Sequence, residues 1–134
     1  MVDILSDADL IKHALKTQNP RDLSASTEAG GVACALVTDK GSVFTGVCID
    51  SHCSMGFCAE HNAIGTMVTA GENRILSIVA VKDNVVISPC GRCREFIWQM
   101  HSENKTTRIL LKGDRVKLLK ELLPDHWKEN ETHE

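Results

Sequence analysis

Three cysteines and one glutamate have the spacing of a catalytic metal site. Cys58 and Glu60 are separated by one residue, and Cys90 and Cys93 form a Cys-x-x-Cys pair further along the chain. A structural zinc site takes four protein ligands, whereas a catalytic zinc takes three and keeps one position for water. Three thiolates with a carboxylate that is not needed as a ligand therefore predict one catalytic Zn²⁺ per chain.

Glu60 has the chemistry of a proton carrier beside such a metal. Zinc lowers the pKa of water towards neutrality, so that the water can attack an electron-poor ring carbon bearing an amino group. A carboxylate two residues after Cys58 can take the proton of that water, give it to the ring and help ammonia to leave. The alternative is that Glu60 only stabilises the N-terminus of a helix, as acidic residues often do.

Other uses of these cysteines explain less of the pattern. A thioredoxin-like redox pair leaves Cys58 and Glu60 without a role, and a structural zinc ribbon needs a second Cys-x-x-Cys pair. If Cys53 replaced Cys58 as a ligand, Glu60 would no longer lie two residues after a ligand and would be out of register with the metal. Cys34 lies in an apolar run and is expected to pack in the core.

Composition limits the classes of protein to which the chain belongs. Its 134 residues predict a single domain spanning 1–134, and the formal charge of −3 provides no basic surface for a polynucleotide. A small-molecule substrate is therefore expected, with no nucleic-acid partner. No apolar run is long enough to span a membrane and the N-terminus is acidic, so no membrane contact and a cytoplasmic location are expected.

Apolar periodicity places both cysteine groups at the starts of helices, where free backbone N–H groups lower thiolate pKa values. The pattern predicts the order αββαβαβα, with Ser6 as the N-cap of the first helix and a loop of small residues at 24–31. A polar tail from about residue 128 is expected to be disordered. The predicted helices are 7–17, 58–69, 90–100 and 116–123, and the predicted strands are 32–37, 42–49, 75–81 and 108–111.

This alternation indicates an α/β fold. The continuous apolar and β-branched run at 75–81 suits a central strand that is buried on both faces. Helices on both sides of such a strand predict a three-layer α/β/α sandwich around a mixed sheet of about five strands.

The chain resembles the cytidine deaminase family, in particular its small branch with an all-cysteine zinc site. The resemblance rests on Cys58-Ala59-Glu60, on Ser88-Pro89-Cys90-Gly91-Arg92-Cys93-Arg94-Glu95, on a strand and turn at 32–41, and on Glu121-Leu122-Leu123-Pro124. It implies hydrolytic deamination of a cytidine-like aminopyrimidine nucleoside, in pyrimidine salvage. It also implies a homotetramer with active sites at subunit contacts.

The same resemblance suggests which residues bind the substrate. The branch carries an Asn-x-Glu pair that grips the ribose hydroxyls, and the matching residues here are Cys48 and Asp50. Ala59 and Ser88, beside the zinc ligands, are further substrate-binding candidates. Trp127 matches a C-terminal aromatic residue that covers the base, often in a neighbouring subunit, and its alternative role is packing at an oligomer contact.

Several positions depart from the family pattern and leave alternatives open. Because a thiol is a poor hydrogen-bond partner for a hydroxyl, Cys48 indicates a substrate pocket that differs from the one typical of the family. Blasticidin S deaminases, which act on a modified cytosine nucleoside, are therefore an alternative, as is a non-catalytic zinc-binding protein of the same fold. His61 stands where the family has arginine, and three roles stay open for it: support of a thiolate, donation to the substrate, or exposure to solvent. Arg94 is either a donor to a ligand sulfur or a solvated helix residue.

Overall fold

The computed structural model describes residues 4–130 and folds them around one sheet. Ser6 caps the first helix, as predicted, because its Oγ accepts a hydrogen bond from the Asp9 backbone nitrogen at 3.2 Å. The helices are α1 (Asp7–Thr17), α2 (Ala59–Thr69), α3 (Gly91–Met100) and the single turn α4 (Leu119–Leu122). The strands are β1 (Arg21–Ser24), β2 (Thr27–Thr38), β3 (Val43–Ser51), β4 (Ile75–Lys82), β5 (Val85–Ile87), β6 (Arg108–Leu111) and β7 (Arg115–Leu118).

The sheet is mixed and has seven strands, but it is only five strands wide. Ala33 of β2 pairs with β3 on one side and with β4 on the other. Two short strands do not add to this width. β1 pairs with the same edge of β2 as β4 does, and β5 pairs with the same edge of β4 as β6 does. Among the described strands, only β4 and β6 pair in parallel. The width of five strands expected from the sequence is found in the order β3-β2-β4-β6-β7.

Side chains of β2 alternate between two cores and so define three layers. Ala33, Ala35 and Val37 pack with Leu10 and Ala14 of α1 on one face of the sheet. The opposite face carries the second core, made with α2, α3 and α4. Its central members are Cys34, Leu36, Ala63, Ile64, Met67, Ile78, Ile97 and Leu119. The three-layer α/β/α sandwich predicted from the sequence is confirmed.

Gly46 of β3 allows α2 to lie unusually close to the sheet. A Cβ at this position would lie 2.5 Å from the Ala63 backbone nitrogen and 2.9 Å from the Ala59 carbonyl oxygen. The Asn62 side chain donates a hydrogen bond to the Val47 carbonyl at 3.0 Å. The first turns of α2 are therefore fixed against β3, which positions the residues at its N-terminus.

The prediction of a loop at 24–31 was wrong. Residues from Thr27 onwards belong to β2 and pair with both β1 and β3. Gly30 has a φ of +85°, and the register of β2 shifts between Ala29 and Ala33. The segment is thus part of a strand with an irregularity in its register of the kind that a bulge produces.

The prediction of a helix at 116–123 was also wrong in its first half. Val116 and Leu118 belong to β7, which pairs antiparallel with β6 across a turn at Gly113 and Asp114. Both turn residues have positive φ, 77° and 56°, as tight hairpins require. Helix α4 is therefore a single turn, Leu119–Leu122.

The chain continues beyond α4 into a 3-10 helix, Trp127–Asn130. The Trp127 indole at the start of this helix donates a hydrogen bond to Glu95 of α3. The disorder expected from about residue 128 stays a prediction. Residues 131–134 of the predicted tail lie outside the described residues. Within 4–130, no helix has the length and apolarity needed to cross a membrane.

Candidate active site

The two predicted cysteine groups stand at the N-termini of two neighbouring helices. Cys58 is the N-cap residue of α2 and Cys90 is the N-cap residue of α3, and neither side chain caps its helix. Both residues have extended backbone conformations, with ψ of 156° and 168°. Cys93 follows in the first turn of α3 and is fully buried. The thiols are thereby left available to one another rather than to the helix ends.

The three thiols form a cluster that fits a zinc ion. The Sγ atoms of Cys58 and Cys90 are 3.8 Å apart, and those of Cys90 and Cys93 are 3.5 Å apart. All three sulfur atoms lie within 4.8 Å of one another. Tetrahedral zinc with Zn–S bonds of about 2.3 Å spaces its sulfur ligands by about 3.8 Å. The donor set therefore suits Zn²⁺ in both chemistry and spacing.

Burial and hydrogen bonding act differently on the three thiols. Burial raises the pKa values of the Cys58 and Cys93 thiols. Burial also acts to raise the pKa of the Cys90 thiol, but hydrogen bonds from the Cys93 backbone and from both neighbouring thiols bring it below its ordinary value. The predicted lowering of thiol pKa at helix N-termini thus holds for Cys90 alone, and binding of a cation must favour the thiolates of the other two.

Glu60 lies in the first turn of α2, directly beside this cluster. Its side chain is almost completely buried, with 4% exposed, and its carboxylate is a hydrogen-bond partner of the Cys93 thiol. Burial raises the pKa of the Glu60 carboxyl above its ordinary value. A carboxyl group in this position is suited to accept and return a proton, whereas a residue that only stabilises a helix N-terminus would be solvated.

A half-open cleft of about 570 Å³ leads from the surface to the thiol cluster. Its wall brings together all of the predicted site residues except Cys93 and Trp127. The cleft size is in the range of sites that hold a small molecule. Its lining includes Cys48, Asp50, Cys58, Ala59, Glu60, Ser88 and Cys90.

Cys48 and Asp50 form a pair on one edge of the cleft. The Cys48 side chain is buried, accepts a hydrogen bond from the Val32 backbone nitrogen at 3.2 Å, and lies 3.6 Å from Asp50 Oδ2. Asp50 is exposed. The thiol is therefore occupied within the protein, and the carboxylate is the group of this pair that is left to meet a ligand.

Comparison with known proteins assigns the chain to a family. Residues 6–107 match the family described as the cytidine and deoxycytidylate deaminase zinc-binding region. The chain belongs to this family. It is accordingly an enzyme, a zinc-dependent deaminase, and the match spans all three cysteines of the cluster.

Two similar proteins carry the two names that the sequence suggested. A blasticidin-S deaminase of Bacillus cereus is 35% identical over 104 residues, covering 69% of this chain and 74% of the relative. A cytidine deaminase of Mycobacterium tuberculosis is 33% identical over 98 residues, covering 70% of each. Crystal structures of cytidine deaminases from M. tuberculosis and Burkholderia pseudomallei match with TM-scores of 0.75 and 0.73, at 26% and 28% identity. These matches cover 90% of this chain and 97% and 98% of theirs.

Trp127 does not line the cleft of its own chain. Its side chain is 52% exposed, and its indole Nε1 donates a hydrogen bond to Glu95 Oε2 at 3.3 Å. The neighbouring His126 is buried, stacks on Trp98 with ring centroids 4.0 Å apart, and lies 3.0 Å from Glu95 Oε1. A base-covering role for Trp127 in this deaminase therefore requires a second subunit, and it stays a prediction.

Arg94 makes contacts that the sequence did not predict, and His61 lies beside a ligand thiol, one of the settings left open for it. Arg94 is half-buried, and among the described residues its guanidinium donates to the carbonyls of Pro89 and Leu122 and to the Ser88 hydroxyl rather than to a ligand sulfur. His61 Nδ1 lies 3.4 Å from Cys93 Sγ, and the ring stacks on Phe96. No sequence signal identifies Leu122 as an acceptor, because α3 and α4 meet only in the folded chain.

Proposed function

We propose that the chain deaminates a cytidine-like aminopyrimidine nucleoside by hydrolysis, giving the uridine-like product and ammonia. The observation that carries this proposal is a buried carboxyl, Glu60, beside three thiols at the inner end of a cleft of suitable volume. Names of relatives at 33–35% identity support the same reaction class. The substrate is therefore a small molecule, and the chain has no expected nucleic-acid partner.

The proposed roles follow from the position of each side chain. Cys58, Cys90 and Cys93 hold one Zn²⁺, which when bound activates water as a nucleophile at neutral pH. Glu60 takes a proton from the water and passes it to the ring nitrogen beside the attacked carbon. It then takes the proton of the newly added hydroxyl group and gives it to the departing amine. A C–O bond forms, the C–N bond breaks, and ammonia carries away the amino nitrogen. Burial raises the pKa of Glu60, which makes its carboxylate a stronger base for taking the proton of the water.

Substrate binding is assigned to the walls of the cleft. Ala59 follows Cys58 at the start of α2, and Ser88 lies two residues before Cys90 in the turn that leads into α3. Both line the cleft, so they would contact the base. Cys48 and Asp50 lie on the strand edge and would face the sugar, with Asp50 as its acceptor. Trp127 would cover the base from a neighbouring subunit.

A blasticidin-type substrate is the second candidate. It is favoured by the relative from Bacillus cereus and by Cys48, whose thiol bonds within the protein rather than to a ribose hydroxyl. In this case the cleft accepts a cytosine attached to a modified sugar, and the chemistry at Glu60 is unchanged.

Assembly and cellular role are part of the proposal. We propose a homotetramer with active sites at subunit contacts, a cytoplasmic location, and a role in pyrimidine salvage for the cytidine-like substrate. Sedimentation of the purified protein distinguishes a tetramer from a monomer. A monomer with full activity would contradict the part assigned to Trp127 of a second subunit.

A screen for ammonia release tests the function directly. The substrates are cytidine, deoxycytidine, cytosine and blasticidin S, each with the wild type, Glu60→Gln and the surface variant Glu103→Gln as matched control. The expected result is release from one or more nucleosides by the wild type and by Glu103→Gln, and none by Glu60→Gln with zinc retained. Equal release by Glu60→Gln would refute the role of this carboxyl.

A further inference from the structure

A single arginine, Arg94, is hydrogen-bonded to each of the three residues that lead into α3. The Arg94 backbone nitrogen donates to the Cys90 carbonyl at 3.0 Å. From the same residue, Nε donates to the Pro89 carbonyl at 2.9 Å and an Nη atom donates to Ser88 Oγ at 3.0 Å. Three successive residues, 88 to 90, are therefore each bonded to Arg94.

The same guanidinium reaches the C-terminal part of the chain. Its other Nη atom donates to the Leu122 carbonyl at 3.2 Å. Leu122 ends α4, where the last carbonyls of a helix have no partner within the helix. Leu122 and Leu123 pack against the core on the α2 and α3 face of the sheet. Arg94 thereby connects the active-site turn to a part of the chain that the core holds in place.

We propose that Arg94 is a positioning residue of the active site, whose guanidinium fixes the Ser88–Pro89 turn and so holds Cys90 and Ser88 in place. The inference rests on the proposed zinc site. It assigns Arg94 no contact with substrate or metal. Pro89 has no N–H and cannot anchor the turn through a backbone donor, so its carbonyl and the Ser88 hydroxyl are the groups through which the turn is held.

The three acceptors lie in different directions, which makes arginine specifically necessary. A guanidinium presents five N–H donors in a rigid plane, whereas a lysine ammonium is a point charge on a flexible stem. Lysine at residue 94 can satisfy one of the acceptors and keeps the positive charge. Arg94→Lys therefore separates the geometry of this contact from its charge.

The chain offers a matched control on the other face of the sheet. Arg108 also makes three side-chain hydrogen bonds, two to the Asp7 carboxylate of α1 and one to Ser77. Arg108→Lys makes the same chemical change and removes a similar number of bonds. It lies in no part of the site, so it reports the effect of lost stability alone.

The decisive measurement is the rate at which zinc passes from the purified holoenzyme to an excess of chelating dye. Loss of a contact that orients a metal ligand changes affinity or activity by about 10–100-fold, so release from Arg94→Lys is expected to be at least about tenfold faster. Its KM is expected to rise, because Ser88 lines the cleft. Arg108→Lys is expected to match the wild type in both quantities. Equal release rates for the two lysine variants would overturn the proposal.

Two further results keep the test decisive. If Arg94→Lys does not fold, Ser88→Ala removes a single acceptor and is expected to speed release at least about twofold; an unchanged rate refutes the inference. Zinc release needs no substrate, so its outcome is separate from that of the ammonia screen. A wild-type protein without zinc contradicts the proposed function, whereas a zinc-loaded wild type with an unaffected Arg94→Lys variant contradicts only the role of Arg94.

Discussion

Replacing Gly46 by alanine tests whether the close approach of α2 to the sheet holds the active site together. The added Cβ would lie 2.5 Å from the Ala63 backbone nitrogen and 2.8 Å from the Asn62 Cβ. Both neighbours belong to α2, and the nitrogen is backbone and cannot rotate away. Ordinary contact begins at 3.4 Å, so the helix must withdraw by about 0.9 Å, the difference between 3.4 and 2.5 Å.

This displacement is expected to reduce both stability and zinc affinity. Overpacking of a core by one methyl group costs about 1–3 kcal/mol, and for a domain of this size about 1 kcal/mol lowers Tm by about 4 °C. Tm is therefore expected to fall by about 4–12 °C. Cys58 and Glu60 move with the helix, and metal sites tolerate distance errors of only about 0.2 Å. Zinc affinity is expected to fall at least about tenfold.

Gly65 provides the matched control within the same helix. A Cβ at residue 65 meets nothing within 4 Å, and alanine in a helix interior is favoured over glycine by about 1 kcal/mol. Gly65→Ala is expected to raise Tm and leave zinc affinity unchanged. Thermal unfolding and competitive titration against a chelator measure both quantities. If Gly46→Ala keeps the Tm and zinc affinity of the wild type, the close approach of α2 does not position the site.

Three further changes have distinct readouts. Cys90→Ser replaces a thiolate by a hydroxyl, so elemental analysis should find much less than one zinc per chain; a full complement would remove Cys90 from the ligand set. In Cys48→Asn the new amide can accept a hydrogen bond from the Val32 backbone nitrogen and still donate one to a ribose hydroxyl. One such hydrogen bond contributes about 0.5–1.5 kcal/mol, so KM for cytidine should fall about two- to tenfold. An unchanged KM would count against the Cys48 side of the cleft as the sugar site. The hydrogen-bonded pair with Arg108 holds the pKa of Asp7 below its ordinary value, so its stabilisation is present above the unfolded pKa of about 3.9 and is lost as pH falls through the folded pKa. Asp7→Asn should therefore flatten the acid side of the stability–pH curve measured by denaturant unfolding, and an identical slope would exclude this pair as its source.

The zinc cluster was predictable because its signal is local in sequence and chemical in kind. Cys58, Cys90 and Cys93 are identified by residue type and spacing, and the model of the family covers all of them. Helices α1, α2 and α3 and strand β4 were predicted to within a residue or two at each end. Each of these elements has a long apolar pattern, so the local sequence alone indicates its type and tertiary contacts do not change it.

The short strands were missed because their signals were turns rather than apolar runs. Asp83 and Asn84, with φ of 51° and 63°, make the two-residue turn between β4 and β5. Gly113 and Asp114 serve the turn before β7. The sequence signal for such hairpins is a pair of residues of types that tolerate positive φ. After residue 115 the apolar residues also have helical spacing, but the hairpin indicated by Gly113 and Asp114 is the structure that forms.

Two short returns of the backbone bring the remote cysteines together. After β3 the chain turns back so that Phe57 pairs with Ile49, which starts α2 beside the body of the strand rather than beyond its end. After β4 the chain turns back again so that Ile87 pairs with Ala80. Ala80, Cys34 and Gly46 are paired in turn across β4, β2 and β3, so both returns deliver the next helix over the same part of the sheet. Cys58 and Cys90 meet because each is the N-cap residue of a helix that starts where the chain turns back. This follows from strand register, which the spacing of the cysteines alone does not specify.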